Sequence, residues 1–179
     1  MTILLVFLFA LLLYAIIIYN ALIRLRAQKE EGWSGIDVQL KRRSDLIPRL
    51  VETIKGYTTH EKDLLTRTTE MRAKSMSATE VADRSVAESE VTGALTRLMV
   101  VAENYPDLKA NENFLKLQAD LAETEDTIQN ARRYYNATVR ELNIKVESFP
   151  STLIAKPFKF EKGVYFELAS LSERNVPKI

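Results

Sequence analysis

The apolar residues of this chain fall into three patterns, and each predicts a different structure. From Met1 to Tyr19, MTILLVFLFALLLYAIIIY, no formally charged side chain appears and every helical face is apolar. From Trp33 the apolar positions recur at alternating steps of three and four, through Ile36 and Leu40 and then Ile47, Leu50, Ile54 and Tyr57. That is the seam of a packed helix. After Pro150 the helical period stops, and Phe158, Phe160, Tyr165 and Phe166 crowd into STLIAKPFKFEKGVYFELAS.

The first pattern predicts a membrane anchor over residues 1–23. At about 1.5 Å per residue, nineteen apolar residues nearly match the roughly 30 Å hydrocarbon core. A signal peptide would carry a positive n-region, a shorter apolar core and a small-residue cleavage site, none of which is seen here. Arg24, Arg26 and Lys29 follow the apolar run. Cationic flanks stay cytoplasmic, so the expected topology is single-pass, N-terminus outside and body inside, in the inner (cytoplasmic) membrane. Tyr19, Arg24 and Arg26 are the expected membrane-interface residues.

The second pattern predicts an antiparallel four-helix bundle over residues 24–149. No break separates Tyr19 from Trp33, so anchor and first helix should be continuous; Gly32 and Gly35 weaken it without ending it. Gly56 is a plausible stop, and Thr58-x-x-Glu61 reads as a capping box for a second helix. Residues 75–90, SMSATEVADRSVAESE, show little periodicity and read as a connection or weak helix ends, with Ser77-x-x-Glu80 as a further possible cap. A third helix carries Val91, Leu95, Leu98 and Ala102. Pro106 suits the first position of the fourth, whose seam runs Phe114, Leu117, Leu121, Thr124, Ile128, Ala131, Tyr135, Thr138 and Leu142 and ends near Phe149-Pro150. The fold class expected is all-α, with residues 150–179 as an irregular aromatic tail.

Charge and composition narrow the chemistry. The net charge is +1, which does not suggest a nucleic-acid partner. There is no cysteine and one histidine, His60. His60-Glu61 lacks the second histidine of a zincin, because Leu64 stands there, so it reads as a helix start. Glu123, Glu125 and Asp126 read as a solvated face with Arg132 and Arg133. No metal, no cofactor and no catalytic constellation are expected.

VQLKRRSDLIPRLVETIKGY, residues 38–57, holds two oddities. Pro48 lacks the N–H that would bond the Ser44 carbonyl and should bend the helix. Arg43 occupies a core slot, beside Arg42. Three readings of these cations stand: a solvated face with i,i+4 pairs from Lys41 to Asp37 and Asp45, anionic lipid, or pairing across a subunit contact or within the bundle. Lys41 lies about 33 Å along a straight helix from Tyr19, which disfavours lipid. The tail aromatics likewise have three destinations: their own bundle, a neighbouring subunit, or the bilayer surface. Arg42, Arg43, Phe158, Phe160, Tyr165 and Phe166 are therefore the candidate oligomer or partner contacts.

The blocks YNALIRLR, EGWSGIDVQLKRRSDLIPRLVETIKGY, HEK, LMVVAENYPDLKAN, FLKLQADLAETEDTIQNARRYYNATVRELN and FPSTLIAKPFKF, with a later YFE, resemble the LemA family over nearly the whole chain. The resemblance implies a helical cytoplasmic domain on one membrane span and no known enzymatic activity. It also implies loose links to membrane stress and membrane shaping, and to a zinc metalloprotease of the HtpX type as partner. Two positions depart from the family pattern. Arg49 stands where asparagine is usual, and Lys159 stands where glycine is usual. The function expected is a self-assembling, membrane-anchored scaffold in contact with lipid; the alternative is an adaptor for such a protease.

Overall fold

The computed structural model describes residues 1–58 and 61–167. Six helices follow in order: α1 (Thr2–Lys55), α2 (Lys62–Ser77), α3 (Val81–Ala102), α4 (Pro106–Lys109), α5 (Glu112–Glu147) and α6 (Thr152–Ala155). The described residues contain no strand, so the protein is all-helical there. The expected continuity of anchor and first body helix holds: α1 is one helix from the apolar run to Lys55. It is long and apolar enough to cross a membrane, and its large side chains from Ile3 to Ile17 are exposed.

The chain divides into two compact units. The first holds Met1–Ile36 and Ala131–Tyr165; the second holds Asp37–Asn130 and Phe166. Two of the three boundaries fall inside long helices, in α1 and α5, and the third lies in the irregular tail between Tyr165 and Phe166.

In the second unit the core collects Ile47, Leu50 and Ile54 from α1, Leu65 from α2, Val91, Leu95, Leu98 and Ala102 from α3, Leu108 from α4, and Phe114, Leu117 and Leu121 from α5. Apart from Leu65 and Leu108, these are positions that the step of three and four marks. The polar seam residue Thr124 is buried with its hydroxyl donating 2.6 Å to the Asp120 carbonyl, one turn back. Pro48 sits within α1, and the Ser44 carbonyl that it leaves without a helical donor accepts instead from Arg72 Nε of α2, at 2.7 Å.

Several helix ends differ from expectation. Neither capping box forms. Thr58 donates its hydroxyl to the Ile54 carbonyl, Ser77 donates to the Lys74 carbonyl, and Glu61 and Glu80 themselves stand at the N-caps without side-chain cap bonds. His60 lies outside the described residues. The break between α2 and α3 is only residues 78–80, so most of 75–90 is helix. Pro106 opens the separate short helix α4, and α5 starts after Asn111, whose Oδ1 accepts the Phe114 N–H at 3.0 Å as an N-cap.

In the first unit α1 and α5 approach closely. A Cβ on Gly32 would meet the Tyr135 backbone at 3.2 Å, so glycine there serves contact as well as flexibility. Trp33 lies tilted against Tyr135 with ring centroids 5.7 Å apart.

Candidate functional site

Two groups of residues stand out, one in each unit. The second unit contains a buried ionic network around Glu88. Arg43 from α1 and Glu88 from α3 pair with side-chain exposures of 3% and 5%. The other carboxylate oxygen of Glu88 accepts from Ser75 Oγ, and Arg84 Nε lies 3.2 Å from it. Arg43 also pairs with Glu125 of α5 and donates 2.9 Å to Thr92 Oγ1. Arg84 donates 2.8 Å to the Ser75 carbonyl and lies 3.4 Å from Asp37. Two guanidiniums and the Glu88 carboxylate thus exchange water for one another. Such a group is costly to bury and more costly to break, because removing one member strands a buried charge.

The basic core slot is therefore filled by pairing inside the chain. Glu125, read as part of a solvated face, is half-buried and ligates Arg43 instead. Asp37 pairs with Arg84 and not with Lys41, while Lys41 does meet Asp45 at 3.7 Å. Arg42 stays at the surface, 3.5 Å from Glu123. Among the described residues no group of three or more His, Cys, Asp or Glu is placed to hold a metal.

The first unit straps the start of the tail onto its own helices. Asn143 of α5 makes two bonds to Gly163, donating 3.1 Å to its carbonyl and accepting its N–H at 2.7 Å. Tyr135 donates 2.8 Å to the Val164 carbonyl, and burial pushes its phenol above the ordinary value of 10.0. Lys162 lies 2.9 Å from Glu147, whose hydrogen bond and charge hold the ammonium above its usual range. A Cβ on Gly163 would meet Lys29 Cδ at 3.1 Å and the Val139 methyls at 3.3 Å, so only glycine fits the strap without displacement.

This strap carries Phe160 into a small apolar cluster with Ile18, Leu22 and Ala155, which Tyr19 and Ile23 flank. Tyr19 meets Phe158 and Phe160 edge-on, with centroids 4.9 and 5.8 Å away, and the Arg26 guanidinium lies 5.5 Å from the Phe160 ring centre. Arg24 is exposed. The tail aromatics thus divide. Phe160 and Phe166 are buried within the chain, whereas Phe158 and Tyr165 remain exposed. Lys159, between the two phenylalanines of PFKF, has φ of 54°, the left-handed region that glycine occupies without cost. The glycine usual in the resembling family at this position has a direct backbone reason.

Sequence reasoning missed Glu88, Arg84 and Ser75 because they lie in the aperiodic stretch. It also missed the strap, whose only signal was a glycine, Gly163, between the aromatics.

The LemA family model matches residues 32–179. Protein LemA of Metamycoplasma hominis is 26% identical over 159 residues, covering 88% of this chain and 72% of that protein. Magnetosome protein MamQ 2 of Paramagnetospirillum magneticum is 23% identical over 175 residues, and magnetosome protein MamQ of Magnetospirillum gryphiswaldense is 22% identical over 174. Each covers 83% of this chain, and the chain spans 64% of each of these longer relatives. With its family match extending over the body and tail, this chain belongs to the LemA family.

Proposed function

We propose that the protein is a non-catalytic, membrane-anchored helical scaffold that self-assembles and organises or shapes the bacterial cytoplasmic membrane. In this reading α1 crosses the bilayer once, with the N-terminus outside, and residues 24–149 form an antiparallel four-helix bundle on the cytoplasmic side. The cations Arg24, Arg26 and Lys29 after the apolar run support that orientation. Contacts between protomers use side chains left at the surface, with Arg42 and Tyr165 as the first candidates.

The observation that carries the reading is α1 itself. One helix supplies both the exposed apolar run and core residues of the folded body. Relatives named as magnetosome proteins agree with work at a membrane.

The test is the mass of the full chain in detergent, followed by imaging after return to liposomes. A large homo-oligomer and deformed liposomes are expected. A monomer that leaves liposomes round would sink the scaffold. A monomer recovered only together with a membrane metalloprotease would replace it with the adaptor role.

A further inference from the structure

Where the protein first covers α1 is also where the apolar run ends. Ile18 is the first buried residue of the helix, and it is buried by Ala155 and Phe160. One helical turn nearer the N-terminus, Tyr14 shares a groove with Ile144, Lys145, Phe149 and Pro150. The turn after α5 therefore reaches along α1 to the level of Tyr14. Nineteen residues of α1 span about 28 Å, close to the hydrocarbon thickness, so Tyr14 to Tyr19 occupy about the last 7.5 Å of the bilayer core on this side.

At that level the protein displays the opposite of a soluble surface. Phe149 is 80% exposed, Leu153 61%, Phe158 60% and Ile144 57%. Lys156 and Lys159 are exposed among them, and Lys145 lines the groove. Of the acids nearby, Glu147 is engaged by Lys162, Glu141 lines the groove and Glu161 is exposed beyond Lys159, while Phe149 to Lys159 itself carries none. Large apolar side chains ringed by lysines match the boundary between acyl chains and anionic headgroups. The turn is also held in place. Ser151 is buried, and its hydroxyl lies 2.6 Å from the Lys145 carbonyl at the end of α5.

We infer that the turn from Phe149 to Lys159 is a second membrane contact, a wedge that sits in one leaflet beside the anchor with Phe149, Leu153 and Phe158 among the acyl chains and Lys156 and Lys159 on anionic headgroups. Its occupant is lipid and not a second copy of the chain, because the patch is continuous with helix residues that already face lipid and its charge is cationic. The wedge adds area to a single leaflet, which supplies a local source of curvature. It rests on α1 spanning the bilayer and is independent of self-assembly.

The chain has no cysteine, so single labels are clean. Leu153→Cys carries an environment-sensitive NBD dye in the full-length protein, in phosphatidylcholine vesicles with or without phosphatidylglycerol. Glu31→Cys is the reference, exposed on α1 about 18 Å beyond Tyr19. The dye at 153 should emit blue-shifted and be quenched several-fold more by shallow spin-labelled lipid than the dye at 31. Lys156→Glu with Lys159→Glu should lower that quenching only where phosphatidylglycerol is present. A dye at 153 that stays in water overturns the wedge, and so does one that is shielded but not quenched, since protein would then cover it. Equal quenching in every vesicle and variant overturns the headgroup contact. Vesicle flotation reads the anchor separately, so floating protein with an unquenched dye refutes the wedge and leaves the anchor standing.

Discussion

Arg72 on α2 completes the backbone of α1: its Nε donates 2.7 Å to the Ser44 carbonyl, the acceptor that Pro48 cannot serve. A proline in mid-helix removes one donor, and here a guanidinium from the next helix replaces it. Arg72→Met should cost about 1–3 kcal/mol, because the carbonyl is then left without a partner. In a Pro48→Ala background the alanine N–H can take the carbonyl, so the same substitution should cost less. Denaturant unfolding of the four variants in detergent, followed by helical circular dichroism, gives the coupling. Additive costs would mean that the two residues act independently.

The ionic network makes a sharper demand. Arg43→Met leaves Glu88 and Glu125 short of a cation and should cost about 3–5 kcal/mol. Arg43→Met combined with Glu88→Leu should cost less than the sum of the two single changes, since apolar pairs tolerate burial. A loss under 1 kcal/mol for Arg43→Met, about what surface pairs contribute, would show that the pair is solvated in solution.

Lys159→Gly should stabilise the protein by about 1 kcal/mol, because a left-handed φ strains every residue with a Cβ. The melting temperature checks it. A lower value would mean that the Lys159 side chain contributes more than the backbone strain costs.

Leu121→Ala, in the core of the second unit, should cost about 2–5 kcal/mol. Val100→Ala is the control, being 59% exposed on α3, and should change stability little. Equal shifts for the two would mean that the helical period has been read on the wrong face.

Alkaline pH should loosen the strap. The Tyr135 phenol is raised above 10.0 in the folded state, so folding holds that proton more tightly than the unfolded chain does. The corresponding stability is present below about pH 10 and is lost as pH rises through the folded value. Tyr135→Phe should reduce stability at neutral pH, through loss of the Val164 bond, and flatten the alkaline decline. Parallel pH profiles for the two proteins would exclude Tyr135 as a source of that dependence.

The long seams were legible because their buried positions are apolar and evenly stepped, as from Phe114 to Leu142. Even Arg43 could be placed in the core from its register alone. Its partner could not. The first turns of α3 bury Arg84, Ser85 and Glu88, so a reading that follows hydrophobicity sees a connection where the structure has a packed helix. The caps failed for a related reason. Thr58 and Ser77 bond carbonyls behind them, and a motif four residues long does not say which way a hydroxyl turns. The tail aromatics stood out as docking residues, but the Asn143–Gly163 clamp that holds the tail against α5 joins residues twenty apart in sequence and leaves no local pattern.

Because α1 is a single helix, its length is quantised. Leu22 meets Phe160, and further along the same helix Gly32 meets Tyr135. One residue inserted between Ala27 and Gln28 would turn one contact by about 100° relative to the other and separate them by a further 1.5 Å. Seven residues would restore the rotation to within about 20°, but lengthen the gap by about 10.5 Å, which α5 and the strap would have to match. The stretch between anchor and body therefore acts as a gauge: it can change only in whole helical repeats, and only if the segment facing it changes in step.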